Sequence, residues 1–438
     1  MNRYESALQR SFKKHKPDNT PDENDRIEIG PSQLAFDEWA ALGLECPDMA
    51  ALREYRLERV REQLRKRDYA GILLFDPLNH RYATDSTNMQ LWITHNAARA
   101  CFIATDGPVV MFDFHGCQHL SYHLPLVDEI RPMTTFFYFP GGSRCEEKAA
   151  RFAAEIAELI TAHGGGNRRL AVDRIEIVGL RELERKNICV MHDGMGLMET
   201  AREIKNHNEM KAMRCAVAAC EKTLLEFEEA IEPGISENEL WAYLHYGNSK
   251  RGGDWIETRL LSTGPRTNPW MSECGPRIIQ EGDLVGLDTD LVGVYGYCVD
   301  MSRTWLAGDG KATAEQKQLF QVAHEHIMED MELLKPGLTF KELTFGGNQL
   351  AEKYRPQQYG VKYHGVGLCD EYPAIYYPES WENSGYDGVL EPGMCLCVEA
   401  YIGEVGGREG VKLEDQVLIT DTGYELLTKF HHDPRLLD

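Results

Sequence analysis

No apolar run in this 438-residue sequence approaches the roughly 20 residues that a membrane-spanning helix requires, so no span is expected. The opening stretch is equally poor in hydrophobic residues. Its first 35 positions, with SFKKHKPDNTPDENDR among them, carry no apolar centre of the kind a secretory signal needs. A cytoplasmic protein with an extended or mobile N-terminal arm over residues 1–45 is expected. Basic residues are in deficit, 47 Lys and Arg against 70 Asp and Glu, which sets the formal charge at −23. Such a chain repels phosphate backbones and anionic lipid, which argues against nucleic acid and the membrane surface as partners. No CxxC occurs among the twelve cysteines, so neither a zinc ribbon nor a thioredoxin-type site is indicated. They read as small buried residues kept reduced.

The chain that is present suffices for two domains or three. Apolar spacing predicts a helix over residues 50–68, and AGILLFD then reads as a buried strand. ACFIAT and VVMFDF flank Asp106 and Gly107, a turn dipeptide that tolerates positive φ, and so predict a hairpin. An alanine-rich helix over residues 146–163 is closed by Gly164, Gly165 and Gly166. RLAVD and ICVM complete an α/β unit that ends near residue 195. A long helix running to Glu229 opens the second domain, giving the divisions 1–45, 46–198 and 199–438.

The second domain repeats itself. EPGISENEL places Pro233 and Gly234 before Ser236, three residues ahead of Glu239; KPGLTFKEL places Pro336 and Gly337 before Thr339, three ahead of Glu342. Each is a Pro-Gly break followed by a capping box that starts a helix. The strands repeat as well. Gly282 precedes Asp288 by six residues in EGDLVGLDTD, and Gly393 precedes Glu399 by six in EPGMCLCVEA. Each strand has an expected hairpin partner carrying another acid, Asp300 and Glu414. A duplicated α/β half would therefore gather four or five carboxylates.

Asp288 and Asp290 stand two apart and are expected on one face of a strand whose neighbours, Val285, Leu287, Leu291 and Val292, are apolar. Ionised carboxylates packed in low dielectric repel one another and lose hydration. A pair of divalent metal ions, bridged by shared carboxylates and capped by one imidazole, would neutralise them. His364, beside Gly365 and Gly367, is the natural imidazole. The expected ligand set is Asp288, Asp290, Asp300, His364, Glu399 and Glu414.

Taken together, GDLVGLD, GYCVDMSRTW, HGVG, EPGMCLCVEA and REGVKLEDQVLIT resemble the creatinase, prolidase and methionine aminopeptidase superfamily. The resemblance implies an α/β (α+β) architecture: a pita-bread catalytic domain preceded by a smaller creatinase-type α/β domain. Two departures are informative. The peptidases of that superfamily carry strand aspartates eleven residues apart, whereas the position eleven before Asp300 is Thr289 and the acids are Asp288 and Asp290. They also carry a histidine about seven residues after the metal histidine, where HGVGLCDEYP offers Asp370 and Glu371. Both departures resemble the dimethylsulfoniopropionate lyases of the DddP type. That resemblance implies a homodimer, a dinuclear site holding iron, and cleavage of dimethylsulfoniopropionate to dimethyl sulfide and acrylate. The donors themselves also accommodate manganese, zinc or cobalt.

In such a reaction Asp370 would remove the proton α to the substrate carboxylate, made more effective if burial raises its pKa. Tyr359 resembles a substrate-contacting tyrosine of the lyases, and Trp92 is a second aromatic for the sulfonium, contributed by the first domain or across a dimer. The rival reading is a metal-dependent Xaa-Pro dipeptidase, which must explain Asp370. His115, Cys117 and His119 in HGCQH have no fourth ligand, His324 and His326 point to different helix faces, and HHDP near the C-terminus is expected to be solvated.

Overall fold

In the computed structural model, which describes residues 30–437, the first element among the described residues is the helix Gln33–Leu42. Ser32 accepts from the Ala35 amide at its start, and Gly43, at φ 69°, closes it. Trp39 is buried and gives its indole N–H to the Cys215 carbonyl at 2.9 Å. Over these residues the expected extended arm is thus a packed helix, held by a tryptophan that composition alone does not flag. Residues 1–29, the rest of that expectation, lie outside the described residues.

The chain separates into two compact units, 48–202 in one and 30–47 with 203–438 in the other. The first contains a six-stranded mixed sheet in the order β4-β3-β2-β1-β5-β6. Its strands are β1 (Gly71–Leu74), β2 (Ala100–Ala104), β3 (Val109–Asp113), β4 (Glu129–Pro132), β5 (Arg169–Val172) and β6 (Cys189–Met191). β2 and β3 form the expected antiparallel hairpin, although neither Asp106 nor Gly107 takes a positive φ. The connection is long enough to turn without the left-handed region. The helix Cys145–His163 lays Phe152, Ile156 and Ile160 against Leu73, Phe102 and Phe112 of the sheet. Burial of each such side chain stabilises by about 1.5–3 kcal/mol.

The second unit shows the duplication in its hydrogen bonds. Gly234 donates to the Ile279 carbonyl and Glu237 to Arg277; in the other half Gly337 donates to Leu390 and Phe340 to Gly388. Gly234 and Gly337 both hold the positive φ that a Pro-Gly break demands. Ser236 with Glu239 and Thr339 with Glu342 both close complete capping boxes. The first half supplies β7 (Trp255–Ile256), β8 (Leu261–Thr263), β9 (Leu284–Asp288), β10 (Leu291–Val292), β11 (Cys298–Val299) and β12 (Ser302–Leu306), in two small sheets ordered β11-β10-β7 and β12-β9-β8. The second supplies β13 (Val361–Val366), β14 (Asp370–Tyr376), β15 (Cys395–Ile402), β16 (Val411–Ile419) and β17 (Tyr424–Leu426), one sheet ordered β14-β13-β15-β16-β17. Phe320 and Ile327 of the helix Ala314–Glu332 join Val398, Leu413 and Val417 in the core of this unit.

No helix among the described residues is long and apolar enough to cross a membrane.

Candidate metal centre

Strand register aligns the acids. Asp288 closes β9 opposite Ser302, Glu399 of β15 lies directly opposite Glu414 of β16, and His364 of β13 lies opposite Cys397. Side chains of β12 tie its sheet to β16: Arg303 donates to the Glu414 carbonyl at 2.7 Å and pairs with Asp415 at 2.7 Å, and the Thr304 hydroxyl donates to the Lys412 carbonyl at 2.9 Å. Asp288 and Glu414 consequently meet at one hydroxyl, Ser302 Oγ, 2.8 Å from each.

Two nitrogen groups face the acids. His364 Nε2 stands 3.1 Å from Glu414 Oε1, 3.5 Å from Glu399 Oε1 and 3.6 Å from Asp300 Oδ2. Lys412 Nζ stands 2.8 Å from Glu414 Oε2, 2.7 Å from Glu399 Oε2 and 3.2 Å from Asp288 Oδ2. The donor atoms fall into two overlapping groups, each within 4.8 Å: Asp300, His364, Cys397 and Glu414, and Asp290, Asp300 and Asp370. Asp300 belongs to both.

Burial sets the electrostatics. It pushes the Asp300 carboxyl well above the usual range, reinforced by Glu414, Asp290 and Asp288, and it raises Asp288. Asp290 is pushed up to about 8 by burial, then by Asp288 and Asp370. Burial also lifts Glu399 to about 8, against the pull of Lys412. For Glu414 the burial penalty is outweighed by Lys412 and His364, so its pKa falls below the ordinary value. Burial would discharge His364, but Asp370 and the bond to Glu414 overcome it and raise its pKa. Further positive charge is what such a cluster requires. Asp300 Oδ1 and Glu399 Oε1 are buried oxygens without a hydrogen-bond partner. An oxygen-rich set with one imidazole suits a pair of hard or borderline cations, so the residues present fit a dinuclear centre.

Of the residues expected from sequence, Asp288, Asp290, Asp300, His364, Glu399 and Glu414 are all brought together. Asp290 arrives differently from expectation. It follows the end of β9 at φ 37°, a left-handed residue, so it does not share a strand face with Asp288. The turn sends it toward Asp300 and Asp370, with its carboxylate bonded by the Thr258 hydroxyl. Thr289 between them is buried: its hydroxyl donates to Val299 O at 2.7 Å and accepts from the Met301 amide at 3.0 Å, clamping the turn.

The adjacent acids of HGVGLCDEYP separate. Glu371 is buried and ion-paired with Lys205, packed where a side chain at Gly367 would collide with it. Asp370 opens β14 with its side chain 51% exposed and Oδ1 3.9 Å from His364 Nδ1. The condition that burial assist Asp370 is therefore not met, because this carboxylate stands at the start of a strand with half of its surface open to solvent. Tyr359 is half-buried, with Lys412 Nζ 4.7 Å from its ring centroid, and it packs by Leu260, Trp270 and Tyr401. Trp92 lies in the first unit, 36% exposed, its ring against Phe114 and Phe137.

Lys412, Ser302 and Thr258 were not expected. The signal for Lys412 was available, since in GVKLED it stands two before Glu414 and a strand places both on one face. HHDP is solvated as expected only at His431 and Pro434: His432 packs against Phe320 and His324, and the buried Asp433 accepts from the Leu306 amide at 3.0 Å.

The pattern of metallopeptidase family M24 matches residues 211–421. The chain is 53% identical over 425 residues to dimethylsulfoniopropionate lyase DddP of Roseovarius nubinhibens, covering 96% of this chain and 95% of that protein. It is 49% identical to dimethylsulfoniopropionate lyase DddP of Roseobacter denitrificans, with the same coverage of both chains. Among solved structures, the Xaa-Pro dipeptidase of Bacillus anthracis superposes with a TM-score of 0.67 over 86% of this chain and 98% of that one, at 21% identity, a likeness of fold.

Proposed function

The chain belongs to the DddP family of dimethylsulfoniopropionate lyases, built on the metal-dependent M24 domain in a prolidase-type pita-bread fold, and from that premise we propose how its residues carry out the elimination. The protein is a lyase that cleaves dimethylsulfoniopropionate to dimethyl sulfide and acrylate. Asp288, Asp290, Asp300, His364, Glu399 and Glu414 would hold the metal pair, Asp300 being common to both donor groups. When bound, the ions withdraw charge from the substrate carboxylate and so stabilise the charge that builds as the α-proton leaves.

Asp370 takes that proton. The C–H electron pair becomes the carbon–carbon double bond, the bond from the β-carbon to sulfur breaks, and its electrons leave with neutral dimethyl sulfide. No water is consumed and no acid is needed, because a cation departs as a neutral molecule. A hydrolytic histidine has no task here, which accounts for its replacement. The exposure of Asp370 gives the captured proton a direct way to solvent. Tyr359 offers a ring to the sulfonium, and Trp92 is the second aromatic of this reading. Iron as the resident metal, a homodimer, a cytoplasmic location and the division 46–198 and 199–438 complete the proposal. All twelve cysteines being free thiols supports a reducing compartment.

The observation that carries the mechanism is Asp370, held within 4.8 Å of Asp290 and Asp300, in a segment that carries Asp370 and Glu371 and no histidine after His364. Purified protein given dimethylsulfoniopropionate should release equimolar dimethyl sulfide and acrylate and leave an Xaa-Pro dipeptide intact. Dipeptide cleavage without sulfide release would replace this reading with the dipeptidase.

A further inference from the structure

The acid cluster contains one ammonium group that the elimination does not use. Lys412 is fully buried on β16, and its Nζ touches Asp288 Oδ2, Glu399 Oε2, Glu414 Oε2 and, at 2.8 Å, Ser302 Oγ. The oxygens it takes follow a rule. In both glutamates Lys412 holds Oε2, while Oε1 is turned to His364 Nε2, at 3.1 Å for Glu414 and 3.5 Å for Glu399. Glu399 Oε1 has no hydrogen-bond partner at all. For Asp288 the oxygen left by Lys412 is fixed by Ser302. The ammonium also lies against Tyr359, 4.7 Å from the ring centroid, so one face of that ring is already occupied by a protein cation.

We infer that Lys412 is a positioning residue that sorts the carboxylate oxygens of the metal centre: by binding one oxygen each of Asp288, Glu399 and Glu414 from behind, it fixes their rotamers and presents the remaining oxygens of the glutamates on the His364 side. The inference rests on the metal-ligand reading above. Through Tyr359 the same ammonium couples the metal ligands to the wall offered to the sulfonium, and it restricts that ligand to the opposite face of the ring.

Two physical roles for Lys412 make opposite demands. If it were only a counter-charge, removing it would leave the site more negative, and divalent ions would be held as tightly or more tightly. If it positions ligands, its loss frees three carboxylates and metal is held more weakly. The experiment uses the full-length protein loaded with Co(II), comparing wild type, Lys412→Met and Lys412→Arg by visible absorption, by retention of Co(II) against a competing chelator, and by kcat and KM. For Lys412→Met the expected results are a shifted Co(II) spectrum, at least tenfold weaker retention, and a kcat at least tenfold lower, with Lys412→Arg recovering part of each. Unchanged or tighter Co(II) binding with an unchanged spectrum would overturn the inference. Should Lys412→Met fail to fold, Ser302→Ala carries the test: the same spectral shift with a threefold to tenfold lower kcat is expected, and an unaltered spectrum and rate would overturn it. Failure of the wild type to bind Co(II) would instead remove the metal-centre reading on which this one stands.

Discussion

At the scale of single residues, adjacent acids in one segment are assigned opposite tasks by their surroundings. Glu371 points inward to Lys205 and supports β14, while Asp370 points outward beside His364. Asp370→Asn should therefore keep two metal ions per chain and the wild-type melting temperature while kcat falls by about 10²–10⁴, the span of a general base. Retained activity would rule Asp370 out as the base. A second residue makes stability depend on pH. His80 is fully buried, with Nε2 2.9 Å from the Leu74 carbonyl and Nδ1 without a partner, and burial lowers its pKa to about 4 from 6.5. The unfolded chain binds the proton first as pH falls, so stability present above 6.5 is lost between 6.5 and 4. At about 1.4 kcal/mol per pH unit the loss is about 3 kcal/mol. Asp173, which burial pushes up to about 6, acts in the opposite sense over nearly the same window, so the His80 contribution is read as a difference. Protection of the β1 amides from hydrogen exchange, corrected for intrinsic rate, should fall more between pH 6.5 and 4 in the wild type than in His80→Gln, and equal changes would contradict the assignment.

At this scale the sequence is uneven evidence. The six proposed ligands are legible because Asp288 and Glu399 fall six residues after a glycine at matching places in apolar strands, and the segments expected to pair with those strands carry Asp300 and Glu414. The left-handed turn at Asp290 was not, since Asp-Thr-Asp between apolar residues also fits a continuous strand and only the clamp through Thr289 breaks it. Lys412 was missed because lysine in a strand normally marks a solvent-facing edge, and nothing local says that three acids converge on it.

Among elements, the duplication is the most legible feature. Pro-Gly breaks and capping boxes are local chemistry, so Ser236, Glu239, Thr339 and Glu342 behave as their spacing predicts. Thr339→Ala should destabilise the second unit by about 1 kcal/mol, the usual cost of an N-cap, without changing metal content. Urea denaturation checks this, and an unchanged midpoint would mean that the box contributes nothing. The helix Gln33–Leu42 was the least legible element, because its stability comes from Trp39 reaching Cys215, a contact distant in sequence. Strand boundaries near the site resist prediction for a related reason: Asp300 sits between β11 and β12 instead of inside a strand, so it can face both donor groups.

For the whole molecule, the centre is where the two halves of the second unit meet, and bound metal should contribute to their cohesion. Ligand binding to the folded state adds about 2.7 kcal/mol when free metal is 100 times its dissociation constant. Chelation is thus expected to lower the melting temperature, and readdition of metal to restore it; a melting curve indifferent to chelator would separate the ions from folding.

The most direct test is a titration of chelator-stripped protein with Fe(II) under anaerobic conditions, following dimethyl sulfide release against metal bound per chain. The account predicts no release from the stripped protein and a rise that saturates at two ions per chain. Full release from metal-free protein would contradict it.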